Sequence, residues 1–390
     1  MFDAGTAVQH FALAARLRGT SWHRSETCVS VPRRDDRAAR NEGDRAIIEE
    51  AVARLPLSAL DLVPLCTAGS SAASLRSTAE LARSLDRSGF TRLWYAEHHN
   101  MPGIATTTPE ILIAHVAPLT KHLRLGAGGV MLPNHSPLKV AESYKLLNAL
   151  HPGRIDLGIG RAPGTDGLTA LALRRSRAAI GADDFLEQFG ELNAWDKSDF
   201  PSEHPFRAIR AMPDDSPLPP IYLLGSSDYS ARLSAELGLP FAFAAHFSPD
   251  APDAPMKLYR TRFEPNGPDS RPHAILALAV FCADTQIEAE RMASSMKLTF
   301  AQLRTGKPDR LPSPEEVASH AWTPAERSVV DFVDRIQIVG TPGECRARIL
   351  EVAERTKADE VMIATHAWDP AARAHSYELL ARAFELGERS

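Results

Sequence analysis

Residues Thr91 to His135 read TRLWYAEHHNMPGIATTTPEILIAHVAPLTKHLRLGAGGVMLPNH, and this stretch decides the fold. Thr91 to Ala96 is a short run of aromatic and apolar side chains, the composition of a strand. A helical run follows from Pro109 to Thr120, and Leu123 to Leu132 returns to a strand interrupted by glycine. Strand, helix and strand in so short a span form a crossover unit between two parallel strands.

The same alternation continues on both sides of this unit. Leu57 to Val63 is the first strand, and Ser74 to Ser88 is a helix with Leu75, Leu81 and Leu85 near one face and Gly89 as its stop. After a helix at Val140 to Ala149, Arg154 to Ile159 supplies strand four, ending in Gly160 and Arg161. Asp183 to Ala194 is an acidic amphipathic helix in the long connection that follows. Pro220 to Leu224, Phe241 to Ala245 and Ala274 to Cys282 are strands five to seven, with helices at Asp228 to Leu237 and Thr285 to Leu303. Thr341 to Thr356 is the helix before the last strand, Glu360 to Ala364.

Eight strands separated by helices predict an α/β fold, a single-domain (β/α)8 TIM barrel with insertions spanning residues 55–390. An open sheet in two doubly wound domains is the alternative. Residues 1–54 differ: Arg18 to Arg45 is rich in Arg, Asp, Glu and Ser with little apolar periodicity, which predicts a disordered or loosely helical extension without chemistry.

Composition narrows the function classes. The 390 residues carry 44 basic and 49 acidic side chains spread along the whole chain, so no basic face for nucleic acid is implied. No run approaches the roughly 18 to 20 apolar residues needed to cross a bilayer. The apolar segment near Phe11 to Leu17 is broken by Arg16 and does not read as a signal peptide, so a cytoplasmic location is expected. Cys28, Cys66, Cys282 and Cys345 are isolated, as expected of small buried side chains in a reducing compartment.

In such a barrel the chemistry gathers where the strands end. Strand two ends in Glu97-His98-His99-Asn100, strand three runs from Gly128 and Gly129 to His135, strand four ends in Gly160-Arg161, and strand five ends in Gly225-Ser226-Ser227. Strand six adds His246, and Gly340 and His366 lie at the last strands. His98 and His99 are adjacent and would project to opposite sides of an extended chain, which disfavours a shared metal, and none is expected. The glycines of strand three lack the spacing of a dinucleotide or P-loop motif; they mark a bulge, or close approach by another backbone or a flat ligand. Arg161 could hold an anion in bidentate fashion or form a salt bridge at the rim. Gly225 to Ser227 could cradle a phosphate with hydroxyls and free backbone N–H groups, or simply cap the following helix.

Four segments carry a resemblance: Trp94-Tyr-Ala-Glu-His-His-Asn-Met-Pro-Gly103, Gly126-Ala-Gly-Gly-Val-Met-Leu-Pro-Asn-His135, Ala149 to Asp166 with Gly158-Ile-Gly-Arg161 at its centre, and Val361-Met-Ile-Ala-Thr-His366. Together, in order, they resemble the bacterial luciferase-like monooxygenase superfamily, and within it the single-subunit flavin-dependent oxidoreductases. The resemblance implies a barrel that uses reduced FMN, supplied by a flavin reductase or by NAD(P)H, and O2 to oxidise a small organic substrate through a flavin C4a-peroxide. It implies that His98 with Glu97 acts beside the ring and the oxygen site, with the histidine in proton transfer. Gly128 and Gly129 match the backbone on which the ring rests, Arg161 matches the phosphate-binding arginine, and Gly225, Ser226 and Tyr229 fall where further phosphate contacts are made. A homodimer follows only by analogy. Gly160 stands where the light-emitting enzymes have a reactive cysteine, so no light emission is expected.

Three alternatives remain at the level of sequence. They are a deazaflavin-dependent hydride-transferring oxidoreductase of the same fold, a non-catalytic flavin-binding protein, and a metal-dependent hydrolase.

Overall fold

The computed structural model describes residues 55–176 and 184–389, so the extension expected at 1–54 and Cys28 lie outside the described residues. In chain order the strands are β1 Leu57–Asp61, β2 Arg92–Tyr95, β3 Arg124–Met131, β4 Ile155–Gly160, β5 Ile221–Gly225, β6 Phe241–Ala244, β7 Ala274–Cys282, β8 Gln337–Gly340 and β9 Glu360–Ala364. The helices are α1 Ser71–Arg87, α2 Pro109–Val116, α3 Pro137–Leu150, α4 Gly167–Arg174, α5 Phe185–Lys197, α6 Asp228–Glu236, α7 Asp253–Arg262, α8 Gln286–Arg304, α9 Pro314–Ser319, α10 Pro324–Ile336, α11 Pro342–Thr356 and α12 Pro370–Ala383.

Every strand pairing is parallel. β1 to β7 pair in sequence order, and β9 pairs with both β7 and β1, which closes an eight-stranded barrel. The expected (β/α)8 architecture is therefore the observed one. The sequence reading missed β8, whose four residues follow directly on α10 without a turn signal. The first half of β7 pairs with β9, while its second half, Ala279 to Cys282, pairs with β8, so β8 lies outside the ring. Helix starts were better marked: Thr285, Ser313, Thr323 and Thr341 each form a capping box with a glutamate three residues on. The acidic helix expected from Asp183 begins at Phe185.

Alternation along each strand divides the apolar residues between two sides. Leu57, Ala59, Leu93, Leu125, Leu157 and Val361 join the large core beneath the helices, whereas Leu60, Trp94, Tyr222, Ile275, Ala277 and Met362 form a second cluster inside the barrel. At the ends where the strands begin, the interior becomes ionic. Arg92 donates from Nε and Nη2 to the two oxygens of Glu360 at 2.7 and 2.9 Å, and from Nη1 to Asp156 at 2.7 Å and to Tyr222 Oη at 3.0 Å. Arg124 Nε reaches the other Asp156 oxygen at 3.0 Å, and the Ser58 hydroxyl bonds Glu360. Burial works against both charges, but the opposite charges prevail. Arg92 is raised above its ordinary range, and Glu360 is held below the usual carboxylate range.

Two cysteines match the expectation of buried small groups, Cys282 and Cys345, whereas Cys66 is only half-buried. Among the described residues no helix is long and apolar enough to cross a membrane.

Candidate active site

The strand ends carry the polar residues together to one mouth. Glu97, the second residue after β2, is 1% exposed and is the central acceptor there. Its Oε1 receives the His135 ring at 2.7 Å and the His99 ring at 3.0 Å, and its Oε2 accepts from the Met131 amide at 3.0 Å. Burial pushes this carboxyl up, but the bond and charge of His135, then His99 and the amide, outweigh it and hold the group below its usual range. His135 moves the other way: burial lowers it, Glu97 more than compensates, and the ring is raised. Glu97 thus ties the end of β2 to the end of β3 as an ionised carboxylate.

Glu97, His99 and His135 present ligand-type atoms within 4.8 Å of one another, a grouping that the sequence reading did not find. Residues two apart share a side of an extended chain, which was the available signal. Both ring nitrogens lie at hydrogen-bond distance from a single carboxylate oxygen, so the three groups satisfy each other without an ion.

His98 points the other way, as the alternation expects. Its Nδ1 stands 3.0 Å from the Gly164 carbonyl, so Nδ1 carries the proton and Nε2 keeps its lone pair. Burial lowers its pKa, against the Gly164 carbonyl and the Glu97 charge, and the ring is neutral near pH 7. Gly164 belongs to the loop after β4 that begins with Arg161, and the same loop is held by Asn134 Nδ2 to the Pro163 carbonyl at 2.8 Å and by Thr165 Oγ1 to the His99 carbonyl at 2.7 Å. The ends of β2, β3 and β4 are therefore one hydrogen-bonded unit.

Arg161 extends this unit to β5. Its guanidinium lies 4.1 Å from the ring centroid of Tyr229, in the first turn of α6. Arg161 is exposed and makes no salt bridge among the described residues, so the rim ion pair weighed above does not form. Ser227, the residue before α6, bonds no backbone N–H with its side chain, which leaves the first N–H groups of the helix open. A cation with unspent donors thus stands beside a helix N-terminus and the hydroxyls of Ser226 and Ser227, a donor set suited to a phosphate monoester.

The glycines have structural reasons of their own. β3 slips by one residue against β4 between Ala127 and Val130, so Gly128 and Gly129 form a bulge, and the peptide between them is cis. A methyl on Gly128 would meet Leu60 Cδ1 at 2.8 Å and Trp94 Cβ at 3.0 Å, and one on Gly158 would meet the Ala127 carbonyl oxygen at 2.1 Å. Gly225 makes room for Ser230, whose hydroxyl would lie 2.0 Å from such a methyl. The bulge reading of the strand-three glycines holds, and a methyl on Gly129 would meet the Gly158 carbonyl oxygen at 2.8 Å, the close approach of another backbone.

The remaining strand ends add His246 after β6 and His366 after β9, seen in the sequence but given no role there. Both are held neutral by burial, pushed down to about 4, and the His98 imidazole contributes to each shift. The shared signal was a repeated Ala-x-His: Ala96 and His98, Ala244 and His246, Ala364 and His366.

Comparison with known proteins identifies the family and supports the fold. The family model described as luciferase-like monooxygenase matches residues 61–360. A luciferase-like monooxygenase of Escherichia coli K12 is 41% identical over 325 residues, which are 83% of this chain and 96% of the relative. The N-acetyl-S-alkylcysteine monooxygenase of Bacillus subtilis is 34% identical over 336 residues, 85% of this chain and 99% of the relative. Among solved structures, the oxygenating constituent of 3,6-diketocamphane monooxygenase of Pseudomonas putida, in complex with FMN, superposes with a TM-score of 0.63 at 20% identity, covering 86% of this chain and all (100%) of that one; it supports the fold.

Proposed function

Because this chain belongs to the luciferase-like monooxygenase family, we propose that it binds reduced FMN across the mouth of its barrel and uses it with O2 to oxidise a small organic substrate. The observation that carries the FMN reading is the stack of Arg161 on Tyr229, which sets an unpaired guanidinium against the open N-terminus of α6. The cofactor, when bound, supplies the electrons that activate dioxygen, and the protein governs position and access.

In this reading Arg161 holds two phosphate oxygens, and Ser226, with the Gly225 turn and the first turn of α6 at Tyr229, supplies further donors. Gly128 and Gly129 keep the wall of β3 free of side chains where a flat ring would lie. His98, with Nδ1 fixed by Gly164, offers Nε2 as a base that takes up and returns a proton. Glu97 touches no ligand in this scheme; it fixes the ends of β2 and β3 and so positions His98. The apolar interior of Leu60, Trp94, Tyr222 and Met362 keeps water from rising through the barrel.

Residues 55–390 carry this function, and 1–54 take no part in it. The scheme needs a source of reduced FMN, a flavin reductase or NAD(P)H, and places the enzyme in the cytoplasm. A homodimer is part of the same reading: Ile111, Leu146 and Leu150 stand exposed on α2 and α3, beside the early strands. Anaerobic titration with reduced FMN, followed by mixing with oxygen and candidate substrates, tests the proposal. Saturable binding and substrate-dependent oxygen uptake are expected. No binding overturns it, and binding without such uptake leaves a flavin-binding protein that does not turn over.

A further inference from the structure

A cavity of about 240 Å³ lies outside the barrel mouth, between the end of β1, α1 and α12. Pro64, Cys66 and Ala68 after β1, with Ala367, Trp368 and Pro370 after β9, form most of its wall. A void of about 150 Å³ is enough for benzene, so a small organic molecule fits. Alternation along β1 turns Asp61 to the same side as Leu57 and Ala59, away from the barrel interior and toward the two helices. None of the wall residues is among those assigned to the mouth.

Arg373, near the start of α12, is 3% exposed and lines this cavity. Its Nη1 donates to Asp61 at 2.8 Å, and its Nη2 makes a long bond of 3.4 Å to the Ser77 hydroxyl. A guanidinium has five N–H donors; these bonds use two, and the remaining three have no acceptor among the described residues. Asp61 is already engaged, since Oδ1 also accepts from the Val63 amide at 2.7 Å and Oδ2 from the Thr78 hydroxyl. Two other polar groups of the wall are occupied as well: Cys66 Sγ donates to the Trp368 carbonyl at 3.1 Å, and the Ser74 hydroxyl to the Pro64 carbonyl at 2.7 Å. Burial pushes the Cys66 thiol up, so it adds no negative charge near pH 7. The indole N–H of Trp368, which can only donate, is buried without an acceptor. Arg373 and Trp368 thus leave donors, and no acceptor, at an otherwise apolar cavity.

We propose that this cavity is an accessory binding site for a small organic carboxylate: the unused N–H groups of Arg373 receive the carboxylate, and the turns after β1 and β9 enclose an apolar body. A bare inorganic anion would leave the apolar wall unfilled, and an uncharged molecule would leave the buried guanidinium without its acceptor, so the site selects ligands that have both parts. The proposal does not depend on the FMN reading. Ala367 and Trp368 directly follow His366, so the turn after β9 borders both this cavity and the mouth.

The test is titration calorimetry on the full chain with benzoate and hexanoate, against benzyl alcohol as the uncharged control and inorganic phosphate as the anion without a body. At least one of the carboxylates should bind saturably, one per chain, and about tenfold or more tighter than either control. Ala68→Trp fills the cavity from the loop after β1, leaves the pair of Arg373 with Asp61 intact, and should abolish that binding. Arg373→Lys keeps a charge beside Asp61 but loses the planar fork, and should weaken it about tenfold. In the wild type, NMR contacts between the bound carboxylate and the Trp368 indole should place the ligand here whether or not either variant folds. No binding of either carboxylate, equal binding of a control, full affinity in a folded variant, or contacts that miss Trp368 would overturn the proposal. A carboxylate displaced by FMN and indifferent to Ala68→Trp would lie at the mouth instead, which also overturns it.

Discussion

The two ends of the barrel interior use similar residues for opposite purposes. At the floor, Arg92, Asp156 and Glu360 are buried ions, joined by the half-buried Arg124, whose donors and acceptors are matched to one another. At the mouth, the half-buried His98 and His246 and the buried His366 are imidazoles held neutral, and His246 Nδ1 has no partner within the protein. The matched ion network seals the floor and adds rigidity. Incomplete satisfaction at the mouth is a cost that a ligand or a bound water can offset. Stability and binding should therefore respond to different substitutions.

The largest effect should come from the floor. Arg92→Met leaves Glu360 and Asp156 buried without their main counter-charge and should destabilise the fold by about 3 to 5 kcal/mol in chemical denaturation. A loss below about 1 kcal/mol would mean that the floor is not the sealed ionic plug described. At the mouth, His98→Ala should leave both the unfolding midpoint and FMN binding near their starting values while slowing substrate oxidation on the order of a hundredfold. Full turnover in that variant removes the ring from proton transfer. Arg161→Ala should weaken FMN binding at least about tenfold, roughly 1.4 kcal/mol, without changing stability. Unchanged affinity would move the phosphate anchor elsewhere.

The smallest effect is a difference in acid response. His246 and His366 titrate near 4 when folded, against an ordinary value of 6.5, so the folded chain binds fewer protons than the unfolded one between those values. Stability held above pH 6.5 is therefore lost as the pH falls toward 4, at up to roughly 1.4 kcal/mol per pH unit for each of the two rings. The floor should contribute only at lower pH, because Glu360 is held below its ordinary 4.5 and loses its contribution as the pH falls through that lower value. Unfolding midpoints measured at pH 7, 5 and 4 check this, and His366→Gln should flatten the slope between 6.5 and 4.

The barrel was legible because strand runs, glycine stops and capping residues recur in the order a parallel ring requires. β8 was not, since four residues following a helix carry no period of their own. At the site, the turn residues after β2, β4 and β5 were found because strand ends in this architecture are where polar groups have a use. The stack of Arg161 on Tyr229 joins residues 68 positions apart and depends on how two loops fold back, which no local pattern encodes. The floor offered a readable sign that went unused: Arg92, Asp156 and Glu360 are charged residues at inward positions of strands, and buried charge inside a barrel requires partners.

The seam between β3 and β4 has a consequence for how this enzyme can change over time. With the Ala127 carbonyl oxygen 2.1 Å from where a methyl on Gly158 would stand, not even alanine fits without parting the two strands. That wall is closed to mutational drift, and so is the start of the loop after β4, where Gly164 has a φ of +62° and a methyl would meet the Glu97 carbonyl oxygen at 2.9 Å, whereas the loop beyond β7 carries none of the site's contacts described above. New chemistries can be explored by exchanging that loop while the platform beneath it stays fixed.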